Sequence, residues 1–222
     1  MTKQSVPPRP RLIVFDFDGV IADSMEATIE IYNRLALSFG LRQVSDKKEI
    51  EKFRNQQAWD VVKSLNISGL KLLKLIAKSR SETFKVIENL PSQKGMPAVL
   101  QTLKKDGYTL GIVTANSVKN VRKFLRKQNL EIFDFIYEVN LLINIITRRD
   151  KDHILRKIAK IYNLSSQEVV YIGDQTSDID SGNKAGVRTA GVGWGYNSPK
   201  ILKEQNPDYF FEKPEDILKL FD

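Results

Sequence analysis

The stretch Arg11-Leu12-Ile13-Val14-Phe15-Asp16-Phe17-Asp18-Gly19-Val20-Ile21-Ala22-Asp23-Ser24 constrains this chain most, because an apolar, β-branched run delivers two carboxylates, one residue apart, into a glycine turn. Such a run reads as a buried strand. In a strand, residues i and i+2 point to the same side, so Asp16 and Asp18 are expected together just past its C-terminal end, where open α/β sheets bind ligands. Two anions crowded there repel each other. A hard cation such as Mg²⁺, which prefers oxygen ligands and keeps some of its waters, relieves the repulsion and brings a phosphate with it. A plain strand ending in an Asp-Gly turn accounts for Asp18-Gly19 but not for Asp16 behind the apolar run.

With 222 residues, 41% of them hydrophobic, the chain can build one substantial core and a smaller second unit. No apolar run approaches the roughly 20 residues that cross a bilayer. Residues 1–10 are polar and proline-rich without a hydrophobic signal region, so a cytoplasmic location and no membrane partner are expected. The absence of cysteine excludes thiol nucleophiles, disulfides and zinc-thiolate sites, and a single histidine leaves little scope for histidine-bound metal. Chemistry must then rest on carboxylates, hydroxyls and lysines. The net charge of +8 suggests nucleic acid, but the lysines fall in stretches such as Lys71-Leu72-Leu73-Lys74-Leu75-Ile76-Ala77-Lys78, the pattern of a solvated amphipathic face. No specific nucleic-acid partner is expected. A positive surface would instead speed the arrival of small anions.

From about Ser24 to Leu90 no strand is evident, and apolar residues recur at helical spacing: Ile29, Tyr32, Leu35, Ala36 and Phe39, then Trp59, Val62 and Leu65. A turn-rich joint follows over residues 91–97. Helices are predicted over 98–105, 118–128 and 152–162, and strands over 108–114, 133–138 and 168–173. The alternation predicts an α/β fold, a Rossmann-like parallel sheet with helices on both faces. Its core would be discontinuous, residues 11–22 and 92–222, with residues 23–91 forming an inserted α-helical lid over the strand ends. The hinges would lie near Ala22-Asp23-Ser24 and residues 91–95, and Asp23 and Ser24 are expected to cap the first lid helix.

Three further segments supply what phosphoryl chemistry needs. The second strand ends in Thr114-Ala115-Asn116, placing a hydroxyl and backbone N–H groups at a helix start, a phosphate cradle. Later, Gly173-Asp174-Gln175-Thr176-Ser177-Asp178 offers one carboxylate that could ligate a metal directly and a second that could ligate it or orient its waters. Between them, Arg148-Arg149-Asp150-Lys151-Asp152-His153 places a lysine at the opening of a helix, able to offset the carboxylates.

With these elements in this order, the chain resembles the haloacid dehalogenase superfamily from roughly Arg11 to Phe211, specifically its phosphatases with a helical cap after the first motif. Trp194-Gly195-Tyr196-Asn197-Ser198 and Pro207-Asp208-Tyr209 further resemble phosphoglycolate-phosphatase-like members, with Trp194 read as a packing residue. The resemblance implies Mg²⁺-dependent hydrolysis of a small phosphorylated metabolite, phosphoglycolate being the leading guess. It implies Asp16 as the nucleophile that becomes an aspartyl-phosphate, and Asp18 as general acid and then base. Mg²⁺ would be held by an Asp16 oxygen, the Asp18 carbonyl, Asp174 and, through water, Asp178. Thr114, the Ala115 and Asn116 region and Lys151 would hold the transferring oxygens. The lysine motif lacks the glycine or proline companion usual in the family, which leaves Arg149 as the alternative to Lys151. His153 is read as solvated, and Arg54 as a surface residue with a substrate carboxylate as its alternative partner. A phosphomutase acting on a sugar phosphate shares every residue named, and an idle member that only binds a phosphate ligand is the non-enzymatic alternative. Oligomeric state stays open, since no heptad run is evident.

Overall fold

The computed structural model describes residues 9–44, 46–56, 60, 63–64, 66–139 and 150–221. Strand β1 (Leu12–Phe15) is buried at every position. It is followed by helices α1 (Met25–Ala36), α2 (Lys47–Arg54) and α3 (Gly69–Val86), then α4 (Met96–Lys105), β2 (Thr109–Thr114), α5 (Val118–Lys127) and β3 (Phe135–Glu138). The chain continues through α6 (Asp150–Ile161), β4 (Val169–Gly173), α7 (Thr176–Ala185), β5 (Arg188–Val192), α8 (Pro199–Lys203) and β6 (Tyr209–Phe211).

The six strands form one sheet in the order β3-β2-β1-β4-β5-β6, with every neighbouring pair parallel. Alternate residues of β1 feed opposite layers. Ile13 and Phe15 pack with Leu100, Leu103 and Phe124, while Leu12 and Val14 pack with Leu155 and Ile158. A strand covered on both faces reads as an unbroken apolar run, which is why β1 and β4 stand out in the sequence. Phe15 pairs with Ile112 on one side and Ile172 on the other, so the chain leaves β1, β2 and β4 at the same edge. The order runs outward from β1 to β3, then returns to β4, and this switch leaves a crevice at the carboxyl ends of β1 and β4.

The predicted helices and strands are present with ends shifted by one or two residues, and β5 and β6 join them. Between β1 and β2 the described chain is helical, with a small core of Ile31, Leu35, Phe39 and Leu75. Of the predicted apolar stripe, Leu35, Ala36 and Phe39 are buried, while Ile29 and Tyr32 are half-buried and line the space above the strand ends. Trp59, Val62 and Leu65 lie outside the described residues. The segments entering and leaving these helices run side by side: the Asp23 N–H donates to the Pro91 carbonyl (2.9 Å), and the Gln93 N–H to that of Ile21 (2.8 Å). Among the described residues, no helix is long and apolar enough to cross a membrane.

Candidate active site

β1 ends by handing Asp16 to a buried position, where its N–H donates to the Ile172 carbonyl on β4 (2.8 Å) and its Oδ1 accepts the Phe17 N–H (2.8 Å). The other oxygen, Oδ2, accepts from Lys151 Nζ at 3.0 Å. The same ammonium donates to Asp178 Oδ1 at 2.6 Å. Lys151 thus sits between a carboxylate from the β1 loop and one from α7. Asp178 Oδ1 also accepts from the Tyr171 hydroxyl (3.1 Å), and its Oδ2 accepts the Gln175 N–H (3.0 Å).

Asp174, at the end of β4, completes the acidic group. Oxygen atoms of Asp16, Asp174 and Asp178 all lie within 4.8 Å of one another. Asp174 Oδ2 accepts the Tyr196 N–H (2.7 Å), but its Oδ1 is buried without a partner among the described residues. Gly19, at φ +81°, and Gly195 both press against Asp174, and a Cβ at either position would strike its carboxylate. The chain therefore needs glycine there for closeness, and at Gly19 for the left-handed backbone as well.

Electrostatics follow from this crowding. Burial, opposed by Lys151 and reinforced by Asp178, raises Asp16 from 3.8 to about 7. Burial, then the charges of Asp178 and Asp16, raise Asp174 well above the ordinary carboxylate range. For Lys151, burial disfavours the ammonium, but the Asp16 and Asp178 charges outweigh it and hold the group well above the usual lysine value. Among the described residues, one ammonium faces three carboxylates. An unpartnered buried oxygen and this excess of negative charge suit a hard divalent cation.

The carboxylate of Asp18 is held away from this cluster. Its Oδ1 accepts from the Ser24 hydroxyl (2.9 Å) and its Oδ2 from Asn116 Nδ2 (2.9 Å). Burial raises its pKa, with Asn116 and Ser24 opposing. Ser24 stands at the N-cap position of α1 yet makes no side-chain cap bond. This corrects the expected capping role: its hydroxyl instead turns to Asp18 and lies 3.0 Å from the Tyr196 hydroxyl, which also contacts Thr28 Oγ1 (2.9 Å).

Thr114 is buried, and its Oγ1 accepts the Asn116 N–H (3.0 Å). The N-cap of α5 is Ser117, which frees the Asn116 side chain to bond Asp18 and Asn120. Ala115 offers its carbonyl to Arg80 Nη2 of α3 (2.9 Å), and Arg80 Nη1 pairs with Glu138 at the end of β3 (2.7 Å). Arg54 departs from the surface reading: its Nε and Nη2 donate to the carbonyls of Tyr196 (3.3 Å) and Gly195 (3.4 Å). His153 is exposed, and Trp194 packs against the core while its Nε1 donates to the Val20 carbonyl (3.2 Å). Arg148 and Arg149 lie outside the described residues.

The structure therefore gathers Asp16, Lys151, Asp174 and Asp178 at one point and Asp18 with Asn116 beside it. Asp16, Lys151, Asp18 and Asn116 border a cavity of about 770 Å³ whose lining also includes Ile29, Tyr32, Arg54 and Arg80. Sequence reasoning missed Ser24, Arg80, Tyr171 and Asn197 as partners of the site. Only the Trp194–Ser198 string carried a signal that the loop after β5 mattered.

Residues 13–192 match the family model described as haloacid dehalogenase-like hydrolase. The chain is 26% identical over 207 residues to a phosphoglycolate phosphatase of Synechococcus elongatus, covering 93% of this chain and 95% of that one. It is 23% identical over 210 residues to a pyrophosphatase, PpaX, of Listeria welshimeri, covering 94% of each. Among solved structures it is similar to a haloacid dehalogenase-like family hydrolase from Streptococcus pneumoniae (TM-score 0.78, 21% identity, 96% of this chain and 99% of that one). A predicted phosphatase from Clostridium acetobutylicum is similar too (TM-score 0.80, 23% identity, 96% and 98% covered). With its parallel sheet, its acidic strand ends and a family match across most of its length, the chain belongs to the haloacid dehalogenase-like hydrolases.

Proposed function

We propose that this chain hydrolyses small phosphomonoesters with Mg²⁺, carrying the phosphoryl group transiently on Asp16. The observation that carries this reading is the buried group Asp16–Lys151–Asp178–Asp174, with Asp18 held separately by Ser24 and Asn116. One carboxylate stands ready as nucleophile while another, in a different environment, stands ready to move protons.

Attack by Asp16 forms a P–O bond as the bond from phosphorus to the substrate oxygen breaks, and Asp18 gives its proton to the departing alkoxide. Asp18 then takes a proton from water, whose oxygen attacks phosphorus, frees Asp16 and yields inorganic phosphate. Lys151 and the Thr114 hydroxyl hold the transferring oxygens together with the Ala115 and Asn116 region, the positioning on which phosphoryl transfer depends. Burial, which raises the pKa of Asp18, favours the protonated form that a general acid needs. Asp16, Asp174, Asp178 and the Asp18 carbonyl would hold Mg²⁺, which when bound offsets the charge between nucleophile and phosphate. The unpartnered Asp174 Oδ1 supports that assignment.

Residues 23–91 act as a cap over this site, meeting the core through Arg54 and Arg80. The names of the relatives, a phosphoglycolate phosphatase and a pyrophosphatase, favour a small, highly charged substrate, with phosphoglycolate first among candidates. Phosphate release from a panel of small phosphomonoesters, with Mg²⁺ or with chelator, tests the reading beside Asp16→Asn. Metal-dependent release lost in the variant supports it, and release indifferent to both metal and variant sinks it.

A further inference from the structure

The loop after β5 has two working faces. On one, the Tyr196 N–H donates to Asp174 Oδ2 (2.7 Å), the Asn197 N–H to the Asp174 carbonyl (3.1 Å), and Asn197 Oδ1 accepts the Thr176 N–H at the start of α7 (2.9 Å). These three bonds fix the turn that presents Asp174. On the other face, Asn197 Nδ2 donates to the carbonyls of Arg54 (3.0 Å) and Gln56 (3.1 Å), just past α2 in the cap. The Ser198 N–H also donates to the Arg54 carbonyl (3.0 Å), and Arg54 returns bonds to the carbonyls of Gly195 and Tyr196.

Asn197 is buried, at 5% exposure, and its one amide group spans both faces. If the cap segment leaves, Nδ2 loses both acceptors and opens to water, so the amide is no longer held from the cap side. An amide freed on that side can turn, which takes Oδ1 off the Thr176 N–H and loosens the Asp174 turn. Docked cap and ordered turn therefore favour each other.

We propose that Asn197 is a positioning residue that couples docking of the cap to the cation site at Asp174. This deepens the phosphatase reading and rests on its assignment of Asp174 to Mg²⁺. Coupling of this kind is reciprocal: if the docked cap improves Mg²⁺ binding, Mg²⁺ must hold the cap down. The Ser198 amide, bonded across the joint to Arg54, reports docking directly.

The test uses the full chain with Mg²⁺ alone, measuring cation affinity by calorimetry and Ser198 amide exchange with and without the ion. In the wild type, Mg²⁺ slows exchange at Ser198. In Asn197→Ala, Mg²⁺ binding weakens about tenfold or more, the usual scale for losing an outer-shell partner, and the ion no longer slows exchange. Arg54→Ala, which cuts the joint from the cap side and leaves Asn197 on Thr176, shifts both readouts the same way by a smaller factor. It also keeps the test alive should Asn197→Ala fail to fold. Unchanged affinity and protection in the variants overturn the coupling alone, provided the wild type binds Mg²⁺ and hydrolyses substrate. Lost affinity with Mg²⁺-dependent protection intact overturns it too, because a local defect would do that. A wild type that binds no Mg²⁺ overturns both this inference and the reading beneath it.

Discussion

Every residue of β1, β4 and β5 is buried, whereas of the 18 residues of α3 only Leu75 is. The strands lie between layers of side chains that leave no room for adjustment, and the acids they deliver are correspondingly fixed. Helices α1 and α3 meet over a core of four buried residues, with Lys74 and Lys78 facing water. The helices between β1 and β2 reach the site chiefly through hydrogen bonds to loop carbonyls. Placement of reacting groups demands the first kind of structure, and adaptation to the rest of a substrate tolerates the second.

This contrast breaks if core substitutions at the site prove mild. Asp16→Asn is expected to lower the rate of phosphate release by at least about a thousandfold, since groups that act as one unit fail together. Steady-state assays at saturating Mg²⁺ check this. Lys151→Met should cost about 3–5 kcal/mol of stability without Mg²⁺, because it leaves buried carboxylates uncompensated. Urea unfolding with and without the ion should show much of that loss restored by the cation.

A gentler probe of the same region is pH. The Asp16 carboxyl titrates at about 7 when folded against 3.8 ordinarily, so between those values the native state binds more protons than the unfolded chain. Stability of the metal-free protein should therefore fall as pH rises across that window and level off above it. Asp16→Asn should flatten the profile measured by thermal unfolding, and an equal slope in both proteins would refute the assignment. The smallest effect belongs to the helices. Arg80→Ala removes a partly exposed link worth about 0.5–1.5 kcal/mol, so kcat/KM should drop by about tenfold or less. A loss as large as that of Asp16→Asn would erase the distinction between the two regions.

Much of the core half was legible because its signals are local. An unbroken apolar run marks a strand buried on both faces, and the acid after it stands at the sheet edge whatever the rest of the chain does; Asp16 and Asp174 follow from that. Lys151 was readable from Ile154 and Leu155 behind it, which carry the periodicity of its helix. Arg188-Thr189-Ala190-Gly191-Val192 is not legible as a strand, since arginine, threonine and glycine interrupt any apolar run and its place is set by pairing with β4 and β6. The partners that hold the acids were equally opaque. Ser24 meets Tyr196 across 172 positions and Arg80 meets Ala115 across 35, separations that no periodicity encodes. Ser24 also obeys a local rule and then breaks it: it sits where a cap belongs, but its hydroxyl is turned to donate to the Asp18 carboxylate and its oxygen makes no cap bond.

The paired connectors at residues 21–23 and 91–93 bear on how such a chain can change. Because the two strands are hydrogen-bonded side by side, the sheet meets the intervening helices through a doorway of constant width. What lies beyond it is, to the sheet, a closed loop whose length scarcely registers: doubling a flexible loop costs only about 0.6 kcal/mol. Helices of another size or lining could be fitted through the same doorway without moving a strand, so selectivity can be rewritten as a cassette while the acids keep their places.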